Sequence, residues 1–450
     1  MSVPPKPESR AEKVSLWRYA KLFRHDILSA QPEKLYGAWM AEFRTPFFRS
    51  YLANDPALIR LVLKDRPSDF PKSNRLGEGL RPLLGQSVFL TNGDTWERQR
   101  RIIDPAFEGG RLRDAFGPTS AAAAAAAQRF AKRTGEDIEI EAEASHATAD
   151  VIFRTLFSVP IGDEIAMQIY RAFRAYQRSQ PILNLAVLLP LPRWMPRGFR
   201  RATKTSAAEL RGLIRDLVTR RQKELEAGSA PDDLATKIMT TPDPLTGACF
   251  DLDEMVDQVA IFFLAGHETS ASALSWALYL LATHTEWQDR VAAEIASADL
   301  SDFKALSQLQ VTRDVFRETL RLYPPVPMMV REAAQEETFR KRVLRKGAQV
   351  VLSPWHLHRH TRLWDDPDSF DPARWQTENG KASARDAFVP FSAGPRVCPG
   401  AGFAMMEGVL MLAHVLRDLR VEASSHPAPV PVAHLTVRAR DGIWLRFVRR

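Results

Sequence analysis

The stretch from about Leu252 to Thr283 constrains the fold more than any other part of this chain. Asp251 and Glu254 form a capping-box start, and a helix over that stretch would run roughly 45 to 50 Å at about 1.5 Å per residue, enough to cross a whole domain. Val259 to Ala282 is largely apolar, which invites a membrane-spanning reading. Gln258, His267, Glu268, Thr269 and several serines interrupt the run, and a carboxylate at the bilayer centre costs about 2.5 to 3.5 kcal/mol. The sequence therefore predicts a central helix buried in a large helical body. Ala265-Gly266-His267-Glu268-Thr269-Ser270 is odd for a purely structural helix, because Gly weakens it and Thr offers its hydroxyl to a carbonyl one turn back. The pattern predicts a local opening of the helix there.

Cys249 and Cys398 are the only cysteines in 450 residues. A lone cysteine is usually an inert, buried thiol, but the run Phe391-Ser392-Ala393-Gly394-Pro395-Arg396-Val397-Cys398-Pro399-Gly400 points elsewhere. Gly394 and Gly400 bracket a tight loop and allow backbone to approach a flat ligand closely. Arg396 offers a fixed positive fork to a carboxylate. Ala401 to Glu407 reads as a helix start, so a Cys398 thiolate would sit near a positive dipole end. A thiolate held in this way is an axial ligand for heme iron.

The pattern F-x-x-G-x-R-x-C-x-G, carried by Phe391, Gly394, Arg396, Cys398 and Gly400, resembles the heme-binding loop of the cytochrome P-450 superfamily, the heme-thiolate monooxygenases. The resemblance implies a mainly α fold with a small β region: a triangular, helix-rich body around a buried heme b, with Cys398 as the iron ligand. It implies that Ala265 and Gly266 lie over the distal heme face, that Thr269 hydrogen-bonds iron-bound oxygen, and that Glu268 helps relay the protons consumed in O–O cleavage. Trp96 and Arg100 share a helix face one turn apart and look like the family's W-x-x-x-R element, which binds a heme propionate. Arg331 occupies another position that commonly reaches the propionates. His358 is a weaker candidate, with a structural histidine as the alternative. Glu318 and Arg321 stand at a spacing that the chain repeats at Glu78/Arg81, Glu97/Arg100, Glu108/Arg111 and Glu337/Arg340. Their place before Tyr323-Pro324-Pro325, with Phe370-Asp371-Pro372-Ala373-Arg374-Trp375 following, resembles the family's structural charge network, completed by Arg374.

These segments run from Trp96 to Gly400, so the resemblance spans nearly the whole chain and implies a single heme domain over 1–450, with 1–30 as a partly irregular extension. Composition agrees: 45% hydrophobic and 26% charged residues describe an ordinary globular protein. Thr338 to Ser353 carries β-hairpin signals with Lys346-Gly347 as the turn, and the alanines Ala121 to Ala127 fit a peripheral helix. The polar, proline-rich start holds no signal or membrane anchor, and two cysteines suit a reducing cytoplasm. A net charge of +8 without basic runs interleaved with aromatics argues against nucleic acid.

Arg98, Arg101, Arg111 and Arg113 form either a solvated basic surface or a dock for an acidic electron donor. The chain's end at Arg450 leaves no room for a fused reductase, so the expected donor is a separate protein, a ferredoxin with its NAD(P)H-dependent reductase, serving a monomer. The expected substrate is a hydrophobic small molecule, such as a fatty acid, hydrocarbon or terpenoid, oxidised with dioxygen. It would be bound by Leu76 to Phe89, Phe262-Phe263-Ala265 and Val326-Pro327-Met328-Met329. Phe70-Pro71-Lys72-Ser73 with Pro82-Leu83-Leu84-Gly85 looks most like fatty-acid and hydrocarbon hydroxylating branches. Ile182 to Leu191 falls where the family has its substrate-entry loop. A non-catalytic heme sensor or carrier and a peroxide-driven peroxygenase are the alternative functions. Pro399 either starts the following helix or raises the sulfur's electron density by withholding an N–H.

Overall fold

The computed structural model describes residues 3–44, 49–179, 201–433 and 435–450; Ile182 to Leu191 lies outside them. The helices that frame the site are Gly93–Ile103 (α1), Phe116–Ala131 (α2), Ile140–Phe157 (α3), Leu252–Thr283 (α4), Gln310–Leu322 (α5) and Ala401–Asp418 (α6). Helix α4 is the long element expected, 32 residues with both halves of the Asp251/Glu254 capping box made. It packs along α3, α5 and α6 and against the helix Arg201–Glu226. No helix among the described residues is long and apolar enough to cross a membrane.

The predicted opening of α4 is absent, since the helix runs unbroken past Gly266 and Thr269. A Cβ at Gly266 would overlap the Ile152 side chain of α3, so the glycine there serves a close helix approach rather than a break. Thr269 still donates its hydroxyl to the Ala265 carbonyl, at 2.5 Å. Helix α2 forms over the alanine run but is not peripheral. Ala122, Ala123 and Ala126 are buried where α2 packs on α3 and α6, because small side chains let three helices meet closely.

A four-stranded sheet is built from Met40–Arg44 (β1), Arg49–Ala53 (β2), Met329–Glu332 (β3) and Gln349–Leu352 (β4), in the order β1-β2-β4-β3, with β2 and β4 parallel. An isolated bridge from Lys72 to Arg331 of β3 extends it. The nearby hairpin pairs Glu337–Phe339 with Arg342–Leu344. Its turn falls at Arg340-Lys341, both at positive φ, instead of at Lys346-Gly347. Two successive left-handed residues match the twist of the flanking strands, and Arg-Lys carries none of the usual Gly or Asn signal for it. A second hairpin, Pro431–Ala433 (β5) with Val437–Ala439 (β6), approaches α4.

Glu318 on α5 sits at the centre of the expected charge network. Arg321 grips it with two bonds of 2.9 and 2.7 Å, and Arg374 adds a third of 2.9 Å. Glu318 and Arg321 are fully buried, which excludes a surface ion pair. The spare guanidinium N–H groups bind the carbonyls of His358, Pro367, Ser369 and Asp365, so the three side chains tie α5 to the loop between β4 and α6. On the same helix, the Phe316 ring fills the space a side chain at Gly408 of α6 would need. Removing one partner of a buried charge network typically costs about 3 to 5 kcal/mol, because the remaining charges lose compensation. Glu318→Ala is expected to lose about that much stability in chemical denaturation, whereas Glu108→Ala, at the same sequence spacing but exposed, is expected to stay near wild type.

Candidate active site

Helix α4 is buried from Met255 to Ile261 and again from Ala271 to Leu278, but between them Phe262, Ala265, Gly266, Thr269 and Ser270 are partly or fully exposed. Their spacing puts them on one face for two turns. The first half of α4 belongs to one hydrophobic core and the second half to another, and the open face falls at the seam. Phe263 turns the other way, onto Phe153 at 4.6 Å, so of the expected apolar pair only Phe262 lines the face. Phe107 connects this face to the cysteine loop: its ring lies 5.8 Å from Phe262 and edge-on, at 5.4 Å, to Phe403 of α6.

The loop itself is set by backbone. The Cys398 N–H donates to the Phe391 carbonyl at 2.9 Å and the Val397 N–H to the Gly394 carbonyl at 3.0 Å. Gly394 has φ +67°, and a Cβ there would overlap the Leu63 carbonyl, so no other residue fits without moving the chain. Cys398 is exposed on one side. The protein packed around its other side raises the thiol pKa, against the opposing pull of the Gly400 N–H and Arg100. Helix α6 begins at Ala401 with Gly400 as its N-cap, so Pro399 lies outside the helix and does not occupy its first position.

Trp96 is surrounded by cations. The Lys72 ammonium lies 5.7 Å from its ring centre, and the guanidinium carbons of Arg100 and Arg396 lie at 5.9 and 5.1 Å. Arg100 also donates to the Val397 carbonyl at 2.8 Å and has Asp104 at 2.6 Å, and Arg396 donates to the Pro67 carbonyl at 2.6 Å. Among the described residues, Lys72, Arg331 and Arg396 have no carboxylate within ion-pair distance. The Nε atoms of Arg331 and Arg396 are buried without a hydrogen-bond partner. Burial, then Arg396, Arg331 and Arg100, push the Lys72 ammonium down to about 6; burial and Arg396 bring Arg331 to about 10. Four gathered basic side chains with spare donors beside a thiol, Lys72 regaining its charge when a carboxylate arrives, suit a flat ligand bearing two carboxylates, with a metal for the sulfur. Lys72 was missed as a site residue because its partners are far away in sequence.

His358 is not part of this cluster. Its Nε2 accepts the Val389 N–H at 3.0 Å, and burial, then Arg321, lowers its pKa to about 3, which makes it a structural, neutral histidine. Glu268 is buried and is held by an ion pair to Arg438 of β6, with the Thr436 hydroxyl at 3.4 Å. Glu268 and Thr269 therefore bond to different groups. Beyond Thr269, Ser270 donates to Glu407 of α6 at 2.6 Å. The sequence placed Glu407 in a helix start but gave it no role.

The basic cluster is mostly neutralised within the chain. Arg98 bonds Glu254 at 2.5 Å, Arg101 bonds the buried Asp243 at 2.6 Å and Arg111 bonds Asp232 at 2.8 Å, while Arg113 lies over Phe303. These residues offer little free positive charge to a docking partner.

The description "Cytochrome P450" matches residues 28–443 of the chain. Cyclooctat-9-en-7-ol 5-monooxygenase of Streptomyces melanosporofaciens is 32% identical over 400 residues, covering 87% of this chain and 83% of that protein. Human cytochrome P450 4A11 is 32% identical over 422 residues, covering 88% and 79%. A cytokinin hydroxylase of Arabidopsis thaliana is 29% identical over 425 residues, covering 91% and 82%. The crystal structure of the cytochrome P450DA heme domain superposes with a TM-score of 0.81 at 23% identity, over 100% of this chain and 98% of that one, a likeness of fold.

If Lys72 completes the cationic set, Lys72→Met should release the bound prosthetic group roughly ten-fold faster, the loss of one charge-assisted bond. The apoprotein should show the opposite trend. Unfolded Lys72 titrates near 10.5 and folded Lys72 near 6, so its burial cost is absent above pH 10.5 and grows as pH falls toward 6. Apoprotein stability should therefore fall less steeply over that range in Lys72→Met, measured by denaturation at a series of pH values.

Proposed function

Since the chain belongs to the cytochrome P450 family of heme oxidoreductases, we propose that it is a monooxygenase that inserts one oxygen atom of dioxygen into a hydrophobic small molecule, using electrons from a separate protein. The observation that carries this reading is the grouping of Cys398, the basic side chains around Trp96, and the open face of α4 that ends at Thr269 and Ser270. Relatives named for acting on cyclooctat-9-en-7-ol and for hydroxylating cytokinin support a small organic substrate. A fatty acid, hydrocarbon or terpenoid is the class we favour.

Each residue then has a defined task. The Cys398 thiolate would hold the heme iron, with the Gly400 N–H directed at its sulfur, and Phe391, Gly394 and Gly400 hold its loop in shape. Lys72, Arg100, Arg331 and Arg396 would hold the propionates, beside the Trp96 ring. Heme held by these residues would supply dioxygen activation, with the Cys398 thiolate contributing electron density to it. Phe262, Ala265 and Gly266 present an apolar surface that excludes water from the reacting face. The Thr269 hydroxyl holds a proton there, restrained by the Ala265 carbonyl. Glu268 takes part in proton supply only when its pair with Arg438 opens. A ferredoxin is the electron donor we favour, and the cytoplasm the compartment. The whole chain reads as one heme domain acting as a monomer.

Cys398→Ala is expected to remove the red-shifted ferrous-carbonyl Soret band, and Cys249→Ala to leave it intact; the opposite result would move the ligand assignment to Cys249. Thr269→Ala should bind substrate and accept electrons normally, yet form about ten-fold less product per NADH, with the balance as peroxide. Product from NADH, ferredoxin and reductase, set against product from added peroxide, separates a monooxygenase from a peroxygenase. A sensor would form none by either route.

A further inference from the structure

Among the described residues, Arg100 is the one basic side chain of the four around the cysteine loop with a carboxylate at ion-pair distance. Its Nε lies 2.6 Å from Asp104 Oδ1. Its Nη1 donates to the Val397 carbonyl at 2.8 Å, the peptide group that leads into Cys398. One guanidinium thus meets an acid on one edge and the backbone of the cysteine loop on another. Its charge is felt at the sulfur, because Arg100 is one of two groups that pull the Cys398 thiol pKa down against burial.

Asp104 stands where a carboxylate is costly. It caps the C-terminus of α1, the negative end of the helix dipole, where acids are disfavoured. It follows Arg100 by four residues, and cation before acid is the weaker order for a helical pair. Its side chain is 30% exposed, and burial raises its pKa above the ordinary carboxylate value, with Arg100 pulling it back and Glu108 adding to the rise. The turn Asp104–Ala106 is closed by backbone, the Phe107 N–H donating to the Asp104 carbonyl at 2.9 Å, so the carboxylate is not needed to shape it. An acid that local structure disfavours and does not require points to a role at the neighbouring site.

We propose that Asp104 balances the charge of Arg100 at the Cys398 loop, so that the sulfur keeps its electron density and the iron it holds keeps a low reduction potential. This rests on the reading in which Cys398 holds heme iron and Arg100 stands by a propionate. Asp104 acts through Arg100 and is a positioning residue. An uncompensated guanidinium bonded to the Val397 carbonyl would draw negative charge toward itself and favour the reduced state, which carries one electron more. The Asp104 carboxylate offsets that field at its source. The step concerned is the one-electron reduction of ferric to ferrous iron, with the electron supplied by the donor protein in turnover and by dithionite in a titration, and Cys398 remaining a thiolate throughout. The chain can thus gather enough basic groups for two propionates without weakening the sulfur beside them.

The test compares wild type, Asp104→Asn, Asp104→Glu and Glu108→Gln as heme-loaded proteins, titrated with dithionite at pH 7 without substrate. Asp104→Asn keeps the size of the side chain and removes its charge. It should raise the ferrous-to-ferric ratio at a fixed solution potential roughly ten-fold, an upward shift of about 59 mV for one electron. Asp104→Glu should return most of the way to wild type, and Glu108→Gln, which removes an exposed and screened charge, should match wild type. Transfer of hemin to apomyoglobin gives a second readout. With the Arg100 charge freed for a propionate, Asp104→Asn should release hemin roughly three-fold more slowly, whereas loss of a merely structural carboxylate would speed release and leave the potential unmoved. An unchanged or lowered potential in Asp104→Asn overturns the proposal, as does hemin released faster than from wild type. A shift in Glu108→Gln as large as that in Asp104→Asn also overturns it, by making the effect one of overall charge. If Asp104→Asn does not fold, Asp104→Ser, also uncharged, is measured in its place. Failure of the ligand reading shows separately, in a wild type that lacks the red-shifted ferrous-carbonyl Soret band, and it overturns the proposal with it.

Discussion

Helix α4 has to be buried along almost its whole length and yet leave one face free for two turns, and the rest of the molecule is arranged around that requirement. Burial of its two halves in separate cores fixes the helix firmly at both ends. At the seam between the cores, Phe262, Ala265, Gly266, Thr269 and Ser270 stay partly or fully exposed among the described residues. Gly266 brings α3 close on one flank, and Ser270 ties the other to α6. An unbroken helix with an exposed stretch thus stands where a local opening of the helix was expected.

A second constraint is electrostatic. Lys72, Arg331 and Arg396 are gathered without matching carboxylates among the described residues, at a cost visible in the lowered pKa values of Lys72 and Arg331. A fold selected for the stability of the bare chain would disperse them. Their persistence makes sense when a dianionic partner completes the set, because binding free energy then adds to folding free energy. The Glu318 network is the contrasting case: one buried carboxylate, two guanidinium groups and a full complement of carbonyl acceptors, compensated entirely within the chain.

How much of this was legible in the sequence depended on how local each signal was. The α4 capping box, the Cys398 loop, the Trp96 and Arg100 pair and the Glu318 and Arg321 pair each lie within a few residues, and local spacing carried them. What escaped notice depended on distant partners. Asp243, Glu254 and Asp232 neutralise arginines far from them in sequence, so a cluster that read as a free basic surface is largely paired. Arg438 captures Glu268 from 170 residues further along the chain. Gly266 read as a helix breaker because the sequence does not show Ile152 beside it. The Arg340-Lys341 turn was hidden by residues that seldom adopt positive φ.

The contact between Phe316 and Gly408 carries a mechanical consequence. The ring of one helix is seated where the other has no side chain, so α5 and α6 interlock like a key in a slot and resist sliding along each other. Glu318 lies two residues beyond the key, and Glu407 lies beside the slot. The charge network and the helix leading out of the cysteine loop are thereby coupled as one stiff frame, and a disturbance at either end would reach the sulfur as a displacement rather than be absorbed on the way.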